Sequence, residues 1–317
     1  MQATTRRLLT SAGLVASITM LSACSSSSSP APSDTTTSAT TAGYPVTVGT
    51  GSDAVIIPAR PTSIVSLSPT ATEDLYAIGA GDQVEAVDKY SNYPAGTPMT
   101  KLSELQINVE SLVALNPDLV IIANPSDNLS SRMKALSIPV LMLPAATHID
   151  DVYTEMTELG EATGHVEEAT KVEASVRAEL QQITSSIAPR PKPLTYFFEL
   201  GPDYYSLTSQ TFVGQLLSLI GLQSIADTAS GVADSGGYPQ LSSEFIVKAD
   251  PDFIFLADTI CCQQDATTVA KRPGWTQIAA VKAGHVVNLS DDIASRWGPR
   301  IVVLLQTVAD AVKNSNG

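Results

Sequence analysis

Two hydrophobic periods alternate along the chain. Short apolar runs typical of buried strands are separated by segments in which apolar residues return every three or four positions, as on one face of a helix. In the first half, this pattern predicts strands at 63–68, 83–88, 119–123 and 139–143 and helices at 72–78, 110–115 and 126–137. In the second half, it predicts strands at 194–200, 252–256 and 286–289 and helices at 212–219, 244–248 and 299–312. Strands that alternate with helices indicate βαβ units, so the predicted fold class is α/β with mostly parallel sheets.

One long segment between the two halves has only the helical period. Apolar residues recur from Ile149 to Ile187, with an interruption at 160–164, and the proline-rich run 188–193 ends the pattern. A helix of about 20 residues is about 30 Å long, the width of a small domain. We therefore predict a single backbone helix, residues 149–188, that connects two lobes.

A repeated segment supports the presence of two lobes. Residues Glu110–Ala123 are echoed 134 residues later as Glu244–Ala257, and both copies read as a glutamate, a short helix, an Asn/Asp-Pro-Asp stop and an apolar strand. This period is too long for a solenoid, whose units recur every ~20 to 50 residues. It predicts a duplicated architecture with an N-terminal lobe at 44–148 and a C-terminal lobe at 189–317.

The first residues form a secretion signal. Arg6 and Arg7 precede an apolar stretch at 8–20, which is too short to span a bilayer, and the small-residue sequence Leu21-Ser-Ala-Cys24 follows. This arrangement resembles a bacterial lipobox. The resemblance implies that residues 1–23 are a lipoprotein signal peptide, and that Cys24 becomes acylated and anchors the protein to the outer face of the cytoplasmic membrane. An ordinary signal peptide cut at a nearby site is the alternative.

Residues 24–43 are almost entirely Ser, Thr, Ala and Pro, a composition that cannot bury a core, so we predict a disordered tether. Without residues 1–23, which contain two arginines and no acid, the chain has 16 basic and 32 acidic residues, a net charge of −16. This balance argues against nucleic acid, which requires a basic surface. It also argues against flat adhesion to an anionic membrane, which leaves the lipid as the attachment.

The remaining cysteines, Cys261 and Cys262, are adjacent in sequence. In an oxidising compartment they form either a vicinal disulfide near a cleft or two free thiols. The three histidines of the chain are not spaced to complete a zinc site with them.

Several separated motifs together resemble a known family. They are Arg60–Glu73, Ile78–Asp82, Tyr90–Pro94 and Asn108–Val120, and the resemblance extends from Arg60 to Val312. The chain resembles the helical-backbone class of periplasmic binding proteins, the solute receptors of ABC importers for cobalamin, ferric siderophores and haem. The resemblance implies two Rossmann-like three-layer lobes joined by one long helix, with the ligand in the cleft between them.

In this family, an exposed glutamate on each lobe docks onto arginines of the permease, and these positions correspond to Glu110 and Glu244. A carboxylate in the first turn of a helix is favoured by the helix dipole and can accept a bidentate pair from an arginine. The alternative is that both are ordinary acids at helix N-termini. Glu73, which opens a helix, is interpreted as helix-start chemistry rather than as a ligand or docking residue.

Ligand contacts are assigned by motif position. The resemblance indicates Tyr90, Tyr238, Tyr204 and Tyr205 as aromatic contacts, and Asp292 with Arg296 as a polar pair at the spacing found in cobalamin-binding relatives. The alternative for that pair is a local ion pair that caps the final helix. Trp297 either stacks on a flat ligand or closes the core. Leu105 and Leu200 stand where cobalamin receptors have aromatic residues, which leaves the identity of the ligand open.

The sequence therefore predicts a lipid-anchored, extracytoplasmic receptor that delivers a metal chelate to an ABC permease and its ATPase. A corrinoid such as cobalamin is the first choice, and a ferric siderophore or haem is the alternative. A zinc or manganese receptor would need ligands on both lobes beyond His148, and a secreted enzyme would need a nucleophile with its base. We expect a monomer without catalytic residues, resident metal or cofactor.

Overall fold

The computed structural model describes residues 43–51 and 54–315. The predicted signal peptide, Cys24 and the tether up to residue 42 lie outside the described residues. Within the described ranges, no helix is both long enough and apolar enough to cross a membrane.

The N-terminal lobe has a parallel four-stranded sheet. An antiparallel ribbon, β1 (Val46–Val48) and β2 (Val55–Ile57), precedes it. The sheet has the order β4-β3-β5-β6 and consists of β3 (Ile64–Ser66), β4 (Val84–Val87), β5 (Leu119–Ile122) and β6 (Val140–Met142). The helices are α1 (Pro69–Ala77), α2 (Val109–Val113) and α3 (Asp127–Ala135). All four residues of β5 are buried, as expected for a central strand covered on both faces.

Two helices connect the lobes, α4 (Ile149–Thr163) and α5 (Val166–Ser185). The prediction of one continuous helix over residues 149–188 is therefore wrong, because the segment forms two helices. Gly164 lies between the two helices with φ of +75°, a left-handed conformation that ends α4 and that glycine adopts without steric cost.

The two connecting helices are antiparallel and closely packed. The Arg177 guanidinium lies 3.5 Å from the centroid of the Tyr153 ring. Near the turn, a Cβ placed on Gly160 would lie only 2.7 Å from Cβ of Ala169. A glycine at 160 therefore allows the helices to approach each other.

This helical hairpin contributes to both hydrophobic cores. Leu159, Ala162 and Ala169 pack in the core of the N-terminal lobe, whereas Met156 and Val176 pack in the core of the C-terminal lobe. Because both helices enter both cores, the hairpin fixes the two lobes on a common support.

The C-terminal lobe repeats the topology of the first. Its sheet has the order β10-β9-β7-β8 and consists of β7 (Leu194–Glu199), β8 (Leu222–Ser224), β9 (Phe253–Leu256) and β10 (Val286–Asn288), all paired in parallel. The helices are α6 (Phe212–Ser218), α7 (Ser243–Ala249), α8 (Ala266–Ala270), α9 (Ala279–Ala283), α10 (Asp291–Ser295) and α11 (Ile301–Asn314). In each sheet, the first strand lies between the second and the third, and the fourth is at the edge. The predicted α/β class with two mostly parallel sheets is confirmed.

The repeated Asn/Asp-Pro-Asp segment has the same structure in both lobes. Asn116 and Asp250 both have φ of +48° and follow α2 and α7. The aspartate after the proline in each copy then accepts two hydrogen bonds from a threonine near the start of the neighbouring strand. Asp118 Oδ2 lies 2.8 Å from Thr62 N and 3.0 Å from Thr62 Oγ1. Asp252 Oδ2 lies 2.7 Å from Thr195 N and 3.0 Å from Thr195 Oγ1.

We expect Asp118→Ala and Asp252→Ala each to lower the free energy of unfolding by roughly 1 to 3 kcal/mol, because each leaves backbone and hydroxyl donors without their charged acceptor. Urea denaturation measures this loss. Asp234→Ala removes an exposed carboxylate and is the matched control, with an expected change within about 0.5 kcal/mol. Equal stability of all three variants would show that the repeated aspartates do not hold the strands.

Candidate functional site

The carboxyl ends of the strands in the two sheets face each other. Tyr90 and Asn92, which follow β4, contact Arg296, which follows β10. In open α/β sheets, ligands bind outside the carboxyl ends of the strands. The space between these two edges is therefore the candidate ligand site.

A cavity of ≈ 770 Å³ lies between the lobes. The N-terminal lobe contributes Ala145, Ala146 and Thr147, which follow β6. The C-terminal lobe contributes the remaining lining residues: Thr208, Gln210, Thr211, Phe212, Asp227, Val232, Ala233, Gly236, Gly237, Tyr238 and Trp297. This volume is within the ~300 to 1,000 Å³ of typical small-molecule sites.

One wall of the cavity is aromatic. The Trp297 indole stacks on Phe212 with a centroid distance of 4.6 Å and an interplanar angle of 17°, and its Nε1 donates to Ala294 O at 3.1 Å. Both contacts fix the orientation of the ring, so a flat ligand would meet a preformed surface. Burial raises the pKa of Tyr238, so its hydroxyl keeps its proton at neutral pH and remains available as a donor.

The cavity has no cationic lining residue within the described chain. Asp227 is the charged residue of the lining, and its carboxylate accepts hydrogen bonds from Ser209 N at 2.7 Å and Ser209 Oγ at 2.8 Å. The lining is otherwise made of hydroxyl, amide, small and aromatic groups. Such a surface suits a ligand that carries neutral hydrogen-bonding groups.

Six residues link the two lobes, and we call them the interlobe cluster: Glu73, Tyr90, Asn92, Asp292, Arg296 and Arg300. One of them, Arg296, directly precedes the lining residue Trp297. Arg296 donates to Asn92 Oδ1 at 2.6 Å, to Tyr90 O at 2.8 Å and to Asp292 Oδ1 at 2.6 Å. Arg300 Nε donates to Glu73 Oε2 at 2.6 Å. The cluster therefore forms a network of ion pairs and hydrogen bonds between the two lobes.

Two acids, Asp74 and Glu155, are also buried, and Asp74 directly follows Glu73 of the interlobe cluster. The two carboxyl oxygens of Asp74 accept no hydrogen bond from a donor in the described residues. The acid that interacts with them is Glu155 on α4, and a hydrogen bond between the two carboxyls would require that one of them carries a proton. Burial, followed by the charges of Glu155 and Glu73, raises the pKa of Asp74 well above its ordinary range. Burial likewise raises the pKa of Glu155 to about 8.

The structure places the predicted ligand residues in three settings. Tyr238 and Trp297 line the cavity. Tyr90, Asp292 and Arg296 belong to the interlobe cluster. Tyr204 packs against Trp275 with ring centroids 5.4 Å apart, and Tyr205 is exposed; neither lines the cavity. The roles of these residues in ligand binding stay predictions.

The two predicted docking glutamates occupy equivalent positions. Both lie in the first turn of a helix, α2 for Glu110 and α7 for Glu244, and both are exposed. Glu110 is 77% exposed and accepts a hydrogen bond from Arg132 Nη2 at 2.9 Å, which lowers the pKa of the carboxyl. Glu244 has no ion pair with any described residue.

Cys261 and Cys262 are joined by a disulfide in the loop after β9. The Asp291 carboxylate holds this loop by accepting from Cys261 N at 2.8 Å and Ile260 N at 3.0 Å. His148 precedes α4, and its backbone N–H donates to Asp151 Oδ2 at 2.8 Å. No group of three or more His, Cys, Asp or Glu side chains suited to a metal ion occurs among the residues that the structure describes.

Sequence reasoning missed the role of Glu73, which was interpreted as helix-start chemistry. The residue is only 3% exposed and lies against two arginines of the other lobe. One signal was present in the sequence: two consecutive acids, Glu73 and Asp74, interrupt the apolar residues of a short helix. The partners of Glu73, which are Arg296 and Arg300, are more than 200 residues away and leave no local pattern.

Two parallel-sheet lobes on a helical support, with a cavity between the carboxyl ends of their strands, define a bilobed solute-binding protein. The chain belongs to the periplasmic binding protein family, whose model matches residues 64–293. Members of this family are non-enzymatic transport components. The resemblance of the motifs to the helical-backbone class is thereby confirmed.

Three similar proteins illustrate the family. An uncharacterized ABC transporter substrate-binding lipoprotein of Bacillus subtilis, YvrC, is 32% identical over 85% of this chain and 86% of its own length. A cobalamin-binding protein of Halobacterium salinarum is 30% identical over 86% of this chain and 75% of its own. The crystal structure of the periplasmic vitamin B12 binding protein BtuF of Vibrio cholerae is 25% identical, covers 80% of this chain and 98% of its own, and gives a TM-score of 0.65.

The buried acid pair predicts a pH dependence of stability. The pKa of both acids is higher in the folded state than their ordinary 3.8 and 4.5, so at pH values above these the folded state holds more protons than the unfolded state. Stability should therefore fall as the pH rises from about 4.5 to about 8, by roughly 1.4 kcal/mol per pH unit for each additional proton held.

We expect Glu155→Gln to make this decline shallower by roughly 1 kcal/mol per pH unit, because its amide can donate to the ionised Asp74. Urea unfolding at pH 5, 6, 7 and 8 measures the slope. Glu167→Gln, at an exposed position of α5, should retain the slope of the unmodified protein. Parallel curves for Glu155→Gln and the unmodified protein would exclude a shared proton.

Proposed function

We propose that the protein captures a corrinoid, with cobalamin as the first choice, outside the cytoplasmic membrane and delivers it to an ABC permease and its ATPase. The observation that carries the proposal is the interlobe cavity, which has a fixed aromatic wall and no cationic lining residue among those described. A corrinoid is a large, flat macrocycle whose edge carries neutral carboxamides, and these match the hydroxyl and amide groups of Thr208, Gln210 and Thr211. The names of the Halobacterium and Vibrio relatives point to the same ligand.

The alternative cargo is haem or a ferric siderophore. Haem carries two carboxylates, and many siderophore complexes are anionic, so a receptor for them gains from arginine or lysine side chains in the site. Arg296 is the cation nearest in sequence to the lining, but both of its terminal nitrogens already donate to protein acceptors. This distribution of charge favours the corrinoid.

We expect the purified protein to bind cyanocobalamin with a dissociation constant of micromolar or tighter in isothermal titration calorimetry. Trp297→Ala should weaken binding about tenfold or more, since it removes the stacking surface. Leu219→Ala, which removes an exposed apolar side chain outside the cavity, is the control and should bind as the unmodified protein does.

The same titration with haemin and a panel of ferric siderophores tests the alternative. Tight binding of one of these chelates together with no heat from cyanocobalamin would move the assignment to that chelate. Equal affinities of Trp297→Ala and the unmodified protein would remove the cavity from the ligand site.

Glu110 and Glu244 are the proposed contacts with the permease. Their support is the pairing itself: two exposed carboxylates at the same position of a duplicated element, one on each lobe. Arginines on a partner would give each carboxylate a bidentate pair, and two contacts set a single docking orientation.

Changing Glu110 and Glu244 together to Ala should leave cyanocobalamin affinity unchanged and abolish its uptake by cells that depend on this receptor. Uptake of labelled cyanocobalamin by a deletion strain complemented with each variant measures the effect. Glu85→Ala with Glu167→Ala, two exposed acids elsewhere, is the matched control and should support normal uptake. Weakened binding by the purified docking variant would contradict the assignment.

Attachment through Cys24 completes the proposal. The lipobox-like sequence Leu21-Ser-Ala-Cys24 and the polar segment up to residue 43 would place the receptor on a lipid anchor with a tether. The relative from Bacillus subtilis is named as a lipoprotein, which supports this location. The receptor acts as a monomer in this proposal, since one pair of glutamates suffices to orient it.

A further inference from the structure

We propose that Glu73 is a positioning residue that holds the two lobes at the spacing required to retain the cargo. This inference rests on the proposed function only in taking the interlobe cavity as the ligand site. Glu73 lies on α1 of the N-terminal lobe, and its two arginine partners, Arg296 and Arg300, lie between α10 and α11 in the C-terminal lobe.

The contact between Glu73 and Arg300 is a buried, bidentate ion pair. Arg300 Nε donates to Oε2 at 2.6 Å and Arg300 Nη2 donates to Oε1, while Glu73 is 3% exposed. The Arg300 guanidinium also lies 4.0 Å from the centroid of the Tyr93 ring. A buried carboxylate that loses such a partner is strongly destabilised, so the separation of the lobes has a large electrostatic cost unless water replaces the arginine.

Arg296 adds a second connection beside the first. Its Nη1 lies 3.4 Å from Glu73 Oε1, and it also donates to Asn92 and to the backbone of Tyr90 in the N-terminal lobe. Asn92 Nδ2 returns a hydrogen bond to Asp292 Oδ2 at 3.1 Å. Arg296 is 6% exposed, so the ion pair of its guanidinium with Glu73 is largely shielded from water and strengthened, whereas the Asn92–Asp292 hydrogen bond is exposed.

The backbone between the two arginines is shaped for this close approach. A Cβ placed on Gly298 would lie 2.6 Å from Asp74 Oδ1, so a larger residue at 298 would have to displace the Asp74 carboxyl of α1. Residues 296–300 therefore contact α1 through two arginine side chains and, between them, through a glycine.

The interlobe cluster influences the cavity without lining it. None of its six members is a lining residue, yet the cavity has walls from both lobes, Ala145–Thr147 on one side and Trp297 on the other. Trp297 is also the residue directly after Arg296. A change in the distance between α1 and residues 296–300 therefore changes the width of the cavity and the position of its aromatic wall.

Glu73→Gln tests the inference, because it keeps the shape of the side chain and removes its charge. The ligand-free variant should have a larger radius of gyration than the unmodified protein in small-angle X-ray scattering. Cyanocobalamin should dissociate about tenfold faster or more, as expected when the open state, from which the ligand leaves, becomes about tenfold more populated. Asn92→Ala, at an exposed position, should change both quantities in the same direction by a smaller amount and serves if Glu73→Gln does not fold.

Glu199→Gln is the matched control. Glu199 is also fully buried and receives a bidentate pair from an arginine, with Arg272 Nη1 and Nη2 each 2.6 Å from a carboxylate oxygen, but both residues lie within the C-terminal lobe. Its loss should lower stability without changing the radius of gyration or the dissociation rate.

Three outcomes would overturn the inference. The first is that neither Glu73→Gln nor Asn92→Ala changes the radius of gyration or the dissociation rate. The second is that Glu199→Gln changes both quantities as much as Glu73→Gln does. The third is that Glu73→Gln releases cyanocobalamin faster without an increase in the radius of gyration. If the unmodified protein does not bind cyanocobalamin, the proposed cargo is wrong, and the scattering comparison still decides whether Glu73 sets the spacing of the lobes.

Discussion

A buried carboxylate that finds its partners in the other lobe is the constraint on which the cleft depends. Glu73 is removed from water on α1, and the charge is compensated by Arg300 and Arg296 of the C-terminal lobe. Burial of a charge is tolerated only with good pairing geometry, so the lobes must meet in an arrangement that supplies both arginines. The helical hairpin of α4 and α5 connects the lobes, and the ion pairs select the distance between them. The cavity beside the cluster takes its width from that distance.

The duplication accounts for the similar fold of the two lobes, but it does not account for the ligand cavity. The two sheets have the same strand order, and the repeated Asp118 and Asp252 accept the same hydrogen bonds from Thr62 and Thr195. The cavity, in contrast, is lined mainly by the C-terminal lobe, through segments that follow β7 and β8 and have no counterpart in the repeat. A symmetric scaffold with equivalent exposed acids therefore carries an asymmetric binding surface.

Elements with local signals could be predicted from the sequence, and contacts between distant segments could not. The apolar runs around β5 and β9 predicted buried strands, because a strand that is covered on both faces is apolar at each position. The strand β8 was missed because two of its three residues, Gln223 and Ser224, are polar and give no apolar run. The hairpin was predicted as one helix because the periodicity continues beyond Gly164, and only the left-handed conformation of that glycine reverses the chain. Glu73 illustrates the same limit, since Arg300 is 227 residues away and helix-start chemistry explains an isolated glutamate.

A crystal structure of the complex with cyanocobalamin tests the central claim most directly. The account predicts that the corrin ring lies against Trp297 and Tyr238, between lobes that remain joined by the pairs of Glu73 with Arg300 and Arg296. A corrinoid bound elsewhere on the protein, or bound in the cleft with Glu73 separated from both arginines, would contradict it.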